Sequence, residues 1–126
     1  MRGSNLFAAL AAGVIAFTGQ QALAEGDVAA GEKVYKKCKA CHSLEAGKNK
    51  VGPHLNALFG REAGSVEGYK YSKAMMESGV VWDDESLDKY LAKPKEFIPK
   101  TKMAFPGLKK EQQRIDIITY LKEATQ

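Results

Sequence analysis

Cys38-Lys39-Ala40-Cys41-His42 holds the residue types and spacing best suited to chemistry in this chain. Two thiols three positions apart share one turn of helix, and each can bond one vinyl group of a haem. A histidine directly after the second thiol is then held under the ring, with its imidazole in reach of the iron. C-x-x-C-H is the attachment signature of a c-type haem, and it is far more specific than a bare C-x-x-C. Cys38 and Cys41 are also the chain's only cysteines, so no thiol remains for a disulfide framework or a four-cysteine metal site.

Two other chemistries compete for the same residues. A thioredoxin-like redox pair needs a βαβ setting, and nothing here alternates strand with helix. A structural zinc site could use Cys38, Cys41, His42 and His54. Zinc motifs place the second ligand pair roughly three to five residues apart, and His42 and His54 lie much further from each other. The haem reading fits the spacing best.

An iron held by His42 has a sixth position, and four side chains could fill it: His54, Met75, Met76 and Met103. His54 follows His42 so closely that it falls on the same side of the ring. Met75 and Met76 sit on a short helical pattern, where a methionine is usually packing. Met103 lies in Phe97-Ile98-Pro99-Lys100-Thr101-Lys102-Met103-Ala104-Phe105-Pro106-Gly107, an extended loop bracketed by prolines and distant from Cys38. Such a loop can lay a thioether over the opposite haem face.

The elements that must position these groups are helical. Asp27 through Lys37 reads as a helix entering the cysteine motif, with Gly31 small enough for another helix to cross closely. Ser72 caps a short helix to Ser78, which Gly79 ends. Asp83-Asp84-Glu85 puts acids at the positive end of a helix that carries Leu87, Tyr90 and Leu91 inward before Pro94 stops it. A last helix runs from about Lys110 to Ala124, with Ile115, Ile118 and Leu121 as its inner stripe and Ile117 and Tyr120 widening it. No run alternates as a strand. The expected fold class is all-α: one domain of helices and loops wrapped around a non-protein centre.

The first residues predict export. Arg2 begins a positive n-region, Leu6 to Phe17 is uncharged and apolar, and Ala22-Leu23-Ala24 is a small-x-small cleavage site. The apolar run is shorter than the ~20 residues that span a bilayer, so a cleaved signal peptide over 1–24 is expected rather than an anchor. Residues 25–126 would form a single, soluble, exported domain, and a bacterial periplasm is the expected address. The formal net charge of +4 is mild, without the dense basic stripe of a nucleic-acid binder.

Further motifs occur in order: Val51-Gly52-Pro53, Leu58-Phe59-Gly60-Arg61, Gly79-Val80-Val81-Trp82, Tyr90-Leu91-x-x-Pro94-Lys95 and Pro99-x-Thr101-Lys102-Met103-x-Phe105. With Cys38-x-x-Cys41-His42 they resemble the class I c-type cytochromes, closest to the bacterial cytochrome c₂ branch that is similar to mitochondrial cytochrome c. The resemblance covers essentially all of residues 25–126. It implies the cytochrome c fold around one haem c, with thioethers from Cys38 and Cys41, His42 as proximal ligand and Met103 as distal ligand. The Pro53 carbonyl would accept the free N–H of His42 and fix its tautomer. Arg61, Tyr71, Trp82 and Thr101 would surround the propionates, Tyr90 would reach the Met103 sulfur, and Phe105 would cover the haem edge. Gly31, Tyr120 and Leu121 would join the first and last helices.

Three positions depart from the family's pattern. Lys100 stands where many relatives place glycine, and Pro106 stiffens the loop beyond Met103. Met75 replaces a polar asparagine and brings a spare thioether near the iron.

Filled axial positions suit a one-electron carrier, because a thioether raises the reduction potential and leaves no open site for substrate. No general acid, nucleophile or oxyanion arrangement marks an enzyme. By the resemblance, Lys37, Lys48, Lys50, Lys95, Lys102, Lys109 and Lys110 ring the exposed haem edge, while Asp83, Asp84, Glu85 and Asp88 lie elsewhere. Such a dipole steers acidic membrane redox complexes onto the haem edge. The family implies cytochrome bc₁ complex as donor, with a terminal oxidase or photosynthetic reaction centre as acceptor. A monomer without nucleic-acid or small-molecule substrate is expected. The rival reading is a haem peroxidase or gas-sensing c-type protein with a labile methionine ligand.

Overall fold

In the computed structural model, which describes residues 12–14 and 26–126, Asp27 caps the first helix, α1 (Val28–Tyr35). The leader expected over 1–24 lies outside the described residues except at positions 12–14. The Asp27 carboxylate accepts the Ala30 amide at 3.0 Å, satisfying one of the free N–H groups at the helix start. Helix α1 ends two residues earlier than the pattern predicts. The chain then continues through tight turns that carry the cysteine motif.

Four more helices follow: α2 (Lys73–Met76), α3 (Asp84–Ala92), α4 (Pro94–Phe97) and α5 (Glu111–Ala124). Ser72 caps α2 as expected, and the Ser78 hydroxyl closes it by donating to the Met75 carbonyl at 2.8 Å. Helix α3 opens on a reciprocal capping box between Asp83 and Ser86. Pro94 both ends α3 and begins α4, since a proline at the first helical position forfeits no hydrogen bond. Among the described residues the only β pairing is an isolated antiparallel bridge between Glu62 and Val81. None of their helices is long and apolar enough to cross a membrane.

Helices α1 and α5 cross at Gly31, where an added Cβ would lie 2.1 Å from the Asp116 carbonyl oxygen and 2.6 Å from Tyr120 Cβ. Only a residue without a side chain permits that approach. Asp116 locks the crossing: its buried carboxylate accepts the Asp27 backbone N–H at 2.9 Å and the Gln112 amide at 3.0 Å. The Tyr35 and Tyr120 rings meet beside it, with centroids 5.4 Å apart.

The inner face of α5 differs from expectation. Ile117, 1 % exposed, is its most buried residue, with Ile118 and Leu121, while Ile115 is half-buried. Asp116 points at α1, which rotates Ile115 toward the edge of the contact and Ile117 into the centre. Leu58, Trp82, Leu87, Tyr90 and Ile117 of the core line a cavity, and Val34, Ile98 and Leu108 belong to the same core.

Candidate functional site

Turns after α1 carry both thiols. Cys38 N–H donates to the Tyr35 carbonyl at 2.8 Å, and His42 N–H donates to the Cys38 carbonyl at 2.9 Å. The second bond spans four residues, so the motif occupies one helical turn and both cysteines face the same space. Both thiols are free; Cys38 is half-buried and Cys41 exposed. Burial, with Cys41 alongside, pushes the Cys38 thiol above its ordinary pKa.

His42 is fixed from three directions. Its Nδ1 lies 2.7 Å from the Pro53 carbonyl oxygen. A carbonyl only accepts, so Nδ1 carries the proton and Nε2 keeps its lone pair free. Burial holds the imidazole below its ordinary pKa, opposed by the Pro53 bond and assisted by the charges of Arg61 and Lys50. The neutral, ligating form is therefore favoured. Gly52 packs against the ring: an added Cβ would lie 2.4 Å from Cε1. The Tyr35 hydroxyl donates to the His42 carbonyl at 3.1 Å.

Met103 lies in the loop between two buried anchors, Ile98 and Leu108. Leu108 N–H donates to the Leu91 carbonyl at 2.7 Å, and Thr101 N–H donates to the Ile98 carbonyl at 3.1 Å. Lys100 adopts φ +66°, the left-handed conformation that glycine takes most easily. The sequence departure at this position is thus a backbone one. The hydroxyls of Tyr90 and Thr101 share a hydrogen bond of 2.7 Å. Tyr90 and Met103 both line the cavity, and the observed partner of the Tyr90 hydroxyl is Thr101.

These residues meet in one place. Cys38, Cys41, His42, Pro53, Arg61, Tyr71, Trp82, Tyr90, Thr101, Met103 and Phe105 all line one mainly apolar cavity of about 400 Å³. That volume is typical of small-molecule and cofactor sites, roughly 300–1,000 Å³. Two free thiols, a neutral imidazole with Nε2 free and a thioether form a donor set suited to a covalently held haem iron. The polar groups are few. Arg61 donates to the His54 and Asn56 carbonyls, each at 3.0 Å, and the Tyr71 hydroxyl accepts the Val66 N–H at 3.1 Å. Trp82 stacks at a tilt on Tyr90 with centroids 5.1 Å apart. Met75 also lines the cavity and is buried, whereas Met76 is 54 % exposed on the surface. His54 is absent from the cavity wall, and its Nδ1 is buried without a partner.

The lysines divide. Lys37 and Lys102 line the cavity; Lys48, Lys50, Lys95, Lys109 and Lys110 do not. Lys48 pairs with Glu45 at 3.4 Å, Lys50 donates to the Lys39 carbonyl at 2.9 Å, and Lys102 donates to the Lys70 carbonyl at 2.6 Å. The acids expected away from the haem edge have partners of their own. Asp84 pairs with Lys122, Glu85 with Lys89 at 2.8 Å and Asp88 with Arg114 at 2.7 Å, while Asp83 caps α3.

Sequence reasoning gave no role to Gly52, Tyr35 or Tyr69, although Gly52 lies inside the Val51-Gly52-Pro53 motif. Its signal was the glycine itself, next to the proline assigned to His42.

The cytochrome c family model matches residues 28–125. Cytochrome c of Sesamum indicum is 53 % identical over 102 residues, covering 79 % of this chain and 92 % of the relative. Cytochrome c of Gibberella zeae is 50 % identical over 105 residues, covering 82 % and 99 %. Among solved structures, cytochrome cH from Methylobacterium extorquens superposes with a TM-score of 0.73 at 47 % identity, covering 78 % of this chain and 99 % of that one. Agreement over nearly the whole length of these relatives, with the paired thiols and histidine on the cavity wall, means that this chain belongs to the cytochrome c family and carries one covalent haem c.

Proposed function

We propose that the protein is a periplasmic one-electron carrier whose haem iron is held between His42 and Met103. The observation that carries this reading is the convergence of Cys38, Cys41, His42 and Met103 on one apolar cavity. When bound, haem supplies an iron whose two oxidation states differ by one electron. The chain's residues decide how readily that electron moves. His42 offers Nε2, oriented by its bond to Pro53. Met103 offers a soft thioether, which raises the potential. The apolar wall disfavours the additional positive charge of the oxidised iron. Arg61, Tyr71, Trp82 and Thr101 supply the polar contacts for the propionates, and Phe105 covers the edge.

In this reading residues 1–24 are a signal peptide removed on export, and residues 25–126 form the cytochrome domain. Arg2, the apolar run to Phe17 and Ala22-Leu23-Ala24 support that division, as does a family match that begins at Val28. The lysines steer the molecule to acidic surfaces: cytochrome bc₁ complex as donor, and a terminal oxidase or reaction centre as acceptor. Such encounters bury little area and are transient.

Met103→Ala tests the ligation. The expected result is a markedly lower midpoint potential, loss of the near-infrared methionine–iron band and CO binding by the reduced protein. An unchanged midpoint rules out Met103. Rapid CO binding by the unmutated protein would favour the peroxidase or gas-sensor alternative.

A further inference from the structure

We infer that Tyr69 is a brace joining the loop behind His42 to the loop that carries Met103, so that one side chain positions both proposed iron ligands. The inference rests on the ligand assignment above and adds a residue that it does not contain. On one side, the Tyr69 hydroxyl donates to the Val51 carbonyl at 2.7 Å. The next residue, Gly52, donates its N–H to the Cys41 carbonyl at 2.8 Å and lies against the His42 ring. Tyr69 therefore holds the strand of chain that backs the imidazole.

On the other side, the Lys102 ammonium lies 5.4 Å from the Tyr69 ring centroid and donates to the neighbouring Lys70 carbonyl at 2.6 Å. Lys102 immediately precedes Met103. A cation over an aromatic face is attracted by the ring quadrupole, so this contact ties the Met103 loop to the same tyrosine. Tyr71 packs edge-on against Tyr69 with centroids 4.7 Å apart and fixes the ring between the two loops. Lys102 is thereby engaged beside the cavity while its charge stays exposed.

Two readouts on the haem-loaded protein test the brace. The first is the rate of imidazole binding to the oxidised form, which requires the Met103 loop to open. Tyr69→Phe removes only the hydroxyl bond, and Lys102→Gln removes the cation. Each is expected to speed binding about two- to fivefold. The double variant should gain much less than the product of the single factors, because both cut one strut. Lys102→Arg keeps the cation and should bind at the unmutated rate.

The second readout is hydrogen exchange at the Gly52 amide, on the far loop from Lys102. Lys102→Gln should accelerate it several-fold. Multiplicative rates in the double variant, or Gly52 exchange unchanged by Lys102→Gln, would overturn the brace. Were Met103 not a ligand, imidazole would bind the unmutated protein at once and no variant would alter the rate. The Gly52 exchange would still decide for or against Tyr69.

Discussion

Arg114 Nε donates to Asp88 Oδ1 at 2.7 Å, while its Nη1 reaches the Leu108 and Lys109 carbonyls at 2.8 and 3.2 Å. One guanidinium thus ties α5 to α3 and clamps the far end of the loop that carries Met103. Its side chain is only 14 % exposed, so water replaces little of what a substitution would remove. Arg114→Ala should destabilise the fold by about 2 kcal/mol, between the loss of single hydrogen bonds and of a fully buried pair. Arg114→Lys keeps the charge but not the fork, and should recover less than half of the loss. Denaturant unfolding of the two variants checks the order.

At Lys100 the backbone pays for carrying a side chain at φ +66°. Left-handed geometry costs a non-glycine residue about 1–2 kcal/mol. Replacing it with glycine relieves that strain but loosens the unfolded chain by about 0.4–1 kcal/mol. Lys100→Gly should therefore stabilise the protein by about 0.5 kcal/mol. Lys100→Val should destabilise it further than lysine does, since a β-branched residue tolerates this region least. Thermal unfolding should rank glycine above lysine above valine.

Acid should weaken the fold through His54, the histidine not proposed as an iron ligand. Burial, and then the charge of Arg61, holds its pKa below the ordinary 6.5, and its Nδ1 is buried without a partner. In the window just below 6.5 the unfolded chain binds protons that the folded chain does not. Stability is then present above that window and is lost as pH falls through it. Each such proton contributes a slope approaching 1.4 kcal/mol per pH unit, with about that value as its ceiling. Denaturant titrations between pH 7.5 and 5 should show the decline, and a flat profile would mean that His54 titrates alike in the folded and unfolded chain.

Local chemistry made much of this molecule readable. The cysteine motif, the caps at Asp27, Ser72 and Asp83, and Pro94 as the end of α3 depend on neighbours within one turn, which the sequence displays directly. On α5 only Ile115 departs from the expected inner face, and that depends on Asp116, whose partner Asp27 lies 89 positions away. A buried aspartate reads as a solvent position until its donor is known. The Tyr90 hydroxyl shows the same dependence on distant partners: family likeness places the ring on the cavity, and the bond to Thr101 is seen only in the fold. Tyr69 acts through a backbone carbonyl and leaves no mark in residue type or spacing, whereas the close approach at Gly52 is marked only by the glycine itself.

Gly52 offers the sharpest separation of space from backbone conformation. Its φ lies outside the left-handed region, so alanine could adopt the same backbone without strain. The obstacle is the His42 ring, with Cε1 at 2.4 Å, Nδ1 at 2.8 Å and Nε2 at 3.0 Å from an added Cβ. Either the imidazole moves or the 51–53 segment retreats, and both stretch the Nδ1 bond to Pro53. Gly52→Ala should destabilise the protein by about 2–3 kcal/mol, as overpacking does. It should also shift the midpoint potential, because the Pro53 bond sets the basicity of Nε2. Val51→Ala is the control: Val51 is 76 % exposed, and its bond to the Tyr69 hydroxyl is made by its carbonyl. It should leave both quantities close to unchanged. Equal potentials in Gly52→Ala and the unmutated protein would show that the ring relaxes without disturbing its ligating geometry.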